Sequence, residues 1–210
     1  MDSVHENIRR YLSAFYPGQI LVPADFRGRG SQDAIKMSLS RLVKSGELKR
    51  IAHGIYYKPM FHTQLGEMLP SPEAIAEQLA EKEKVRIRPT GSFALNKLGL
   101  STQVPTKLTY LTDGHPRKIR VGKMSIEFKA STPKKMALSG TISGSLILAL
   151  EELDLDNLEP DQEKRIRYLI QISRDQFYND LKLAPAKVYN YISKIITELD
   201  DTIFNIISEA

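Results

Sequence analysis

Between Ser31 and Pro59 the chain reads SQDAIKMSLSRLVKSGELKRIAHGIYYKP, and this stretch restricts the fold more than any other. Ala34, Ile35, Leu39, Leu42 and Val43 recur at the three-and-four spacing of one buried helix face. Gln32, Lys36, Met37, Ser40, Arg41 and Lys44 fall on the opposite side. Asp33 is the one carboxylate there, and it lies in the first turn, where the helix dipole favours an acid. Ser31 is suited to cap the helix start, and Gly46 to end it in a left-handed turn. The alternation Leu48-Lys49-Arg50-Ile51, the turn His53-Gly54 and the return Ile55-Tyr56-Tyr57 predict a basic hairpin that Pro59 stops.

A helix followed at once by a small basic hairpin is the pattern of a winged helix-turn-helix, in which the helix enters the major groove and the wing touches phosphates. The preceding residues fit the same plan. Val4, Ile8, Tyr11, Leu12 and Phe15 form a helical stripe over Ser3–Phe15, which Pro17-Gly18 breaks. Gln19–Val22 reads as a short strand and Pro23–Phe26 as a single supporting helical turn, joined to the main helix by Arg27-Gly28-Arg29-Gly30. Gln32, Lys36, Ser40 and Arg41 are the candidates for base edges, because Gln and Arg can pair bidentately with adenine and guanine. Arg27, Arg29, Lys44, Lys49, Arg50 and Lys58 are the candidates for phosphate contacts. The competing expectation is an ordinary amphipathic helix and hairpin whose charged face is merely solvated.

Charge is unevenly spread along the 210 residues. Residues 1–66 carry 10 Lys/Arg against 5 Asp/Glu, residues 67–135 carry 13 against 7, and residues 136–210 carry 7 against 13. A basic front with an acidic tail points to a nucleic-acid partner for the front. The absence of cysteine excludes disulfides and thiolate metal sites. No run reaches membrane-spanning length and no apolar signal core opens the chain, so the expectation is a cytoplasmic protein without a membrane partner. The length suits two small domains, drawn at 1–66 for the DNA-binding part and 67–210 for the remainder.

The remainder is expected to be mixed α and β with a helical C-terminal part, which makes the whole an α+β protein. Phe61–Leu69 carries no assignable signal. Ser71-Pro72-Glu73 starts a helix to about Glu83, and strands are expected at Val85–Arg88, Lys107–Leu111, Lys118–Val121 and Met124–Lys129. Thr90-Gly91-Ser92 opens a short helix through Leu98, and Pro133-Lys134-Lys135 ends this α+β section. Helices follow over Ser143–Leu153, over Pro160 to about Asp180, and from Pro185 onward with Val188, Tyr191, Ile192, Ile195, Ile196, Leu199, Ile203 and Ile206 as the apolar stripe.

Catalytic patterns are few. His5, His53, His62 and His115 are scattered, and none stands at metal-ligand spacing from another. Neither a phosphate-cradling loop followed by Lys-Ser/Thr nor a Gly-x-Ser-x-Gly elbow occurs. Thr90-Gly91-Ser92-Phe93 follows a strand and opens a helix, as the Gly-Ser of nucleotidyltransferases does. That chemistry also needs paired carboxylates on the next strand to hold two metal ions, and Lys107–Leu111 has none, with Asp113 alone in a turn beside Gly114. Asp113–Lys118 is a polar, basic loop that reads equally as a binding loop or a plain turn. The expectation is a protein that is not an enzyme, with no catalytic residue, no metal and no cofactor.

The run Leu39–Tyr57 resembles the N-terminal winged helix of the AbiEi-type antitoxins, whose hairpin reads G-x-[LI]-x-R-[IV]-x-x-G-[IV]-[YF]; Gly46, Leu48, Arg50, Ile51, Gly54, Ile55 and Tyr56 fit that pattern. Pro89–Leu100, then Pro105-Thr106-Lys107 and Tyr110-Leu111-Thr112, are similar to the second domain of that family. The likeness covers about residues 20–130, and the acidic helical tail departs from it. It implies a bacterial type IV toxin–antitoxin system, with a winged domain that represses its own operon at inverted repeats in the promoter and a second domain that counteracts a nucleotidyltransferase toxin. The rival readings are a protein-interaction adaptor with a basic face and a nucleotidyltransferase-like enzyme using Gly91-Ser92.

Overall fold

The computed structural model describes residues 3–208, with side chains as far as residue 201. The fold is mixed α+β, and the chain divides into two compact units, Met1–Lys84 with Ile119–Ser125, and Val85–Lys118 with Ile126–Ala210.

The first unit begins with helix α1 (Val4–Leu12), whose start is closed reciprocally by Ser3 and Glu6. Strand β1 (Ile20–Leu21) leads to a 3-10 turn at Pro23–Phe26 and then to helix α2 (Gln32–Lys44). Strands β2 (Lys49–Ala52) and β3 (Ile55–Tyr57) form the hairpin, and the antiparallel sheet has the order β1-β3-β2, with Ile20 and Lys49 both opposite Tyr57. Ile8, Leu12, Leu21, Phe26, Ile35, Leu39, Leu42 and Leu48 make the core, with Tyr11 and Phe15 against Phe26 at ring separations near 6 Å. The apolar stripes of α1 and α2 thus meet, as their periodicity requires.

Residues 61–69, unassigned from sequence, hold most of a second hairpin, β4 (Met60–His62) with β5 (Gly66–Met68). Its short strands and exposed Phe61 and Leu65 give no alternation to detect. Helix α3 (Pro72–Glu83) is capped by Ser71 and ends on Lys84 in the left-handed conformation, at φ +56°. It ties into the first unit through two polar contacts. Gln78 accepts the Ile20 N–H at 2.8 Å, and Lys82 donates to both carboxylate oxygens of Asp25 at 3.0 Å.

The second unit holds β6 (Ile87–Thr90), α4 (Gly91–Lys97), β7 (Lys107–Thr112) and parts of β8 (Arg117–Val121) and β9 (Met124–Ala130), whose residues 119–125 count with the first unit; the sheet order is β6-β7-β9-β8. The strand expected at 85–88 starts two residues later, since Arg86 is drawn out of register by Asp113, which accepts its backbone N–H and its Nε. A four-residue helix α5 (Pro133–Met136) follows, then α6 (Thr141–Leu150), α7 (Pro160–Ile172), α8 (Arg174–Asp180) and α9 (Ala186–Ser208). Leu146 to Leu150 are all buried, which explains why α6 is apolar on most sides. The expected single helix over 160–180 is instead two. Ser173, at φ −127°, breaks it, with its hydroxyl donating to the Leu169 carbonyl. Ile203 and Ile206 lie outside the residues whose side chains are described.

The break lets α8 turn its polar side onto the start of α6. Gly140, the N-cap there, has no side chain to offer. Gln176 accepts from the Ile142 and Ser143 N–H groups, while Asp180 accepts from Ser139 N–H, Gly140 N–H and both serine hydroxyls, at 2.6–3.1 Å. Asp180 is fully buried, and α8 thus supplies the acceptors for the Ser139, Gly140, Ile142 and Ser143 N–H groups around the start of α6.

Candidate nucleic-acid interface

Helix α2 separates its two faces cleanly. The Ser31 hydroxyl accepts the Ala34 N–H at the start, and Gly46 leaves the end at φ +79°, a conformation that a side chain would strain. Ile35, Ser38, Leu39 and Leu42 are buried, whereas Gln32, Lys36, Met37, Ser40, Arg41 and Lys44 are exposed. Buried Ser38 is a polar intrusion into the apolar stripe. His5 of α1 answers it, with Nδ1 2.9 Å from the Ser38 hydroxyl. Sequence periodicity alone offers no signal for that pair, because the partners are 33 residues apart.

Three candidates converge on one depression. Arg27, Gln32 and Lys36 line a cavity of about 220 Å³ with Pro23, Ala24 and Ile35. Lys36 is only loosely held, 3.7 Å from the exposed carboxylate of Asp33. Arg41 borders a neighbouring cavity of about 200 Å³ with Met37, Ser38 and His5. Arg27, Arg41 and Lys44 have no side-chain partner among the described residues, so their cationic heads are available to an anion.

The remaining candidates are engaged to differing degrees. The Arg29 guanidinium lies 3.4 Å above the Tyr11 ring and donates to Asn7 at 2.9 Å, which fixes its plane against α1. Arg50 folds back on its own turn, donating to the Ala52 carbonyl and standing 3.1 Å from His53 Nδ1. Lys49 is 3.0 Å from Glu67 of β5. Hydrogen bonds from Lys49 and from the Tyr57 hydroxyl hold the Glu67 carboxyl below the usual carboxylate range. Burial, and then the bond to Glu67, pushes the Tyr57 hydroxyl up to about 12. Lys58 stands apart from the phosphate set. Its ammonium donates to the carbonyls of Leu12 at 3.3 Å and Phe15 at 2.6 Å, where it closes the end of α1. The missing signals are again distant in sequence: Lys58 sits 46 residues from Leu12, and Glu67 belongs to the hairpin that the sequence did not reveal.

The Gly-Ser motif of the second unit has a structural explanation. Gly91 opens α4 at φ +62°, and Ser92 is exposed on its first turn. Asp113 is held below the usual carboxylate range by the Arg86 side chain and backbone N–H. Among the described residues, no three of His, Asp and Glu form a group that could hold a metal ion. No helix among them is long and apolar enough to cross a membrane.

The profile of one protein family matches residues 7–177. The chain belongs to DUF6088, a family of unknown function. The DUF6088 match takes in α2, the β2–β3 and β4–β5 hairpins and the four-stranded sheet, and stops within α8. No curated protein and no solved structure matches the chain.

Proposed function

We propose that this DUF6088 protein is a DNA-binding transcriptional repressor whose first unit is a winged helix-turn-helix. One observation carries the reading: the exposed Gln32, Lys36, Ser40, Arg41 and Lys44 all lie on the uncovered face of α2, the helix that follows a supporting 3-10 turn and precedes the β2–β3 hairpin. The order of helix, 3-10 turn, helix and hairpin, with the sheet order β1-β3-β2, supports this reading by leaving one face of α2 outward. Gln32, Lys36, Ser40 and Arg41 read the groove, while Arg27 and Lys44 contact phosphates. The partner is duplex DNA of the protein's own promoter, bound in the cytoplasm at inverted repeats, and no catalysis or cofactor is involved.

The wider role, antitoxin of a type IV system that counteracts a nucleotidyltransferase toxin, is supported by the resemblance of residues 20–130 to AbiEi-type proteins. The test of the core reading is fluorescence anisotropy with the upstream promoter duplex and a scrambled duplex at two salt concentrations. Arg41→Ala is expected to weaken promoter binding by about 1–3 kcal/mol and to relax selectivity. Lys44→Ala weakens both duplexes alike and lowers the salt slope by about 1. Indifference of both variants, or a wild type that ignores sequence, refutes the repressor.

A further inference from the structure

Residues 105–135 carry eight lysines and arginines against two carboxylates, Asp113 and Glu127, whereas residues 136–210 are acidic. Both carboxylates are already committed. Asp113 accepts from Arg86 at 2.8 Å, and Glu127 pairs with Lys107 at 3.2 Å. The strands alternate, so Ile119, Ile126 and Phe128 are buried while Lys118 and Lys129 are exposed. Since β9 lies between β7 and β8, Lys107, Lys118 and Lys129 surround the single acid Glu127 on three adjacent strands. Lys118 and Lys129 have no carboxylate within ion-pair distance among the described residues.

The chemistry of this face selects its partner. No large apolar side chain is exposed on β7, β8 or β9, so it lacks the aromatic platforms on which single-stranded bases stack. It equally lacks the Tyr, Met and apolar centre of a protein interface. Lysines are flexible point charges, suited to a phosphate path without base readout. We infer that the Lys107–Lys118–Lys129 face of the second unit is a sequence-independent contact for the duplex DNA backbone. The inference rests on the reading of the chain as a duplex-DNA binder.

The experiment measures log K against log salt for the full chain on promoter and scrambled duplexes. Two phosphate contacts each contribute about 0.9 to the slope, so K118A/K129A is expected to lower its magnitude by about 1.8 on both duplexes. A four-fold rise in salt then weakens the wild type about ten-fold more than the variant. K118R/K129R retains the wild-type slope, and K194A, an exposed lysine of α9, leaves it unchanged. Thermal melting of K118A/K129A matches wild type, because both side chains are exposed. An unchanged slope in K118A/K129A overturns the inference while leaving the selectivity of α2 intact. Loss of slope in a protein that never discriminates promoter from scrambled duplex supports this face and refutes the repressor, so the two failures are distinct.

Discussion

Replacing Asp180 with alanine tests how the second unit is held together. The fully buried carboxylate accepts two backbone N–H groups and two serine hydroxyls. Ser139 and Gly140 are not buried, so water can reach their N–H groups after truncation, at about 1 kcal/mol for each lost bond. Ser143 is fully buried, and its hydroxyl keeps no partner, which costs about 1–3 kcal/mol. Arg88, drawn down by burial but supported by its attraction to Asp180, also loses its countercharge. The sum is about 3–5 kcal/mol, or a fall in Tm of roughly 6–20 °C for a chain of this size. Circular dichroism melting of the full chain measures it. Asp180→Ala combined with Ser143→Ala should recover about 1–3 kcal/mol, because the orphaned hydroxyl is then gone. The acid limb has a definite sign. Burial raises the Asp180 carboxyl, but its hydrogen bonds outweigh that and leave it below its ordinary value. Its stabilisation is therefore present above the unfolded value near 3.9 and is lost as pH falls through the lower folded value. A variant within about 0.5 kcal/mol of wild type, or additivity of the two substitutions, refutes the reasoning.

Two further outcomes concern the first unit. Lys58→Ala should lower stability by about 1–2 kcal/mol, through the open end of α1, and leave the salt dependence of DNA binding unchanged; a loss of slope returns Lys58 to the phosphate set. The alkaline titration of the tyrosines should lose a step near 12 in Tyr57→Phe, and Glu67→Gln should move that step down from about 12 toward 10. Because the folded value is raised, the associated stability is present below about pH 10 and disappears as pH rises through about 12.

Local signals carried most of the architecture. The caps Ser31 and Ser71, the stop at Gly46 and the alternation in β8 and β9 are written within a few residues, because capping, left-handed turns and the two-residue strand period are short-range physics. The opposed faces of α2 are legible for the same reason, and its six outward residues are all exposed. The availability of charges was a different matter. Lys49 and Lys58 are candidates for phosphate from the sequence, yet one meets Glu67 and the other closes α1. Met60–Met68 concealed a hairpin whose strands are too short to alternate.

By itself the sequence determined where the helices of the first unit start, which side of α2 is apolar, and that the middle of the chain is basic while its end is acidic. Only the tertiary structure decided which basic groups remain unpaired, since ion pairing is set by distances between segments tens of residues apart. It also decided the break at Ser173. A polar helix from Pro160 to Asp180 is locally acceptable, but the start of α6 has a glycine for its cap and needs acceptors from elsewhere. Turning at Ser173 brings Gln176 and Asp180 to those donors, and satisfying this partly buried helix start, with the fully buried Ser143 hydroxyl, outweighs the few hydrogen bonds that continuity would have kept.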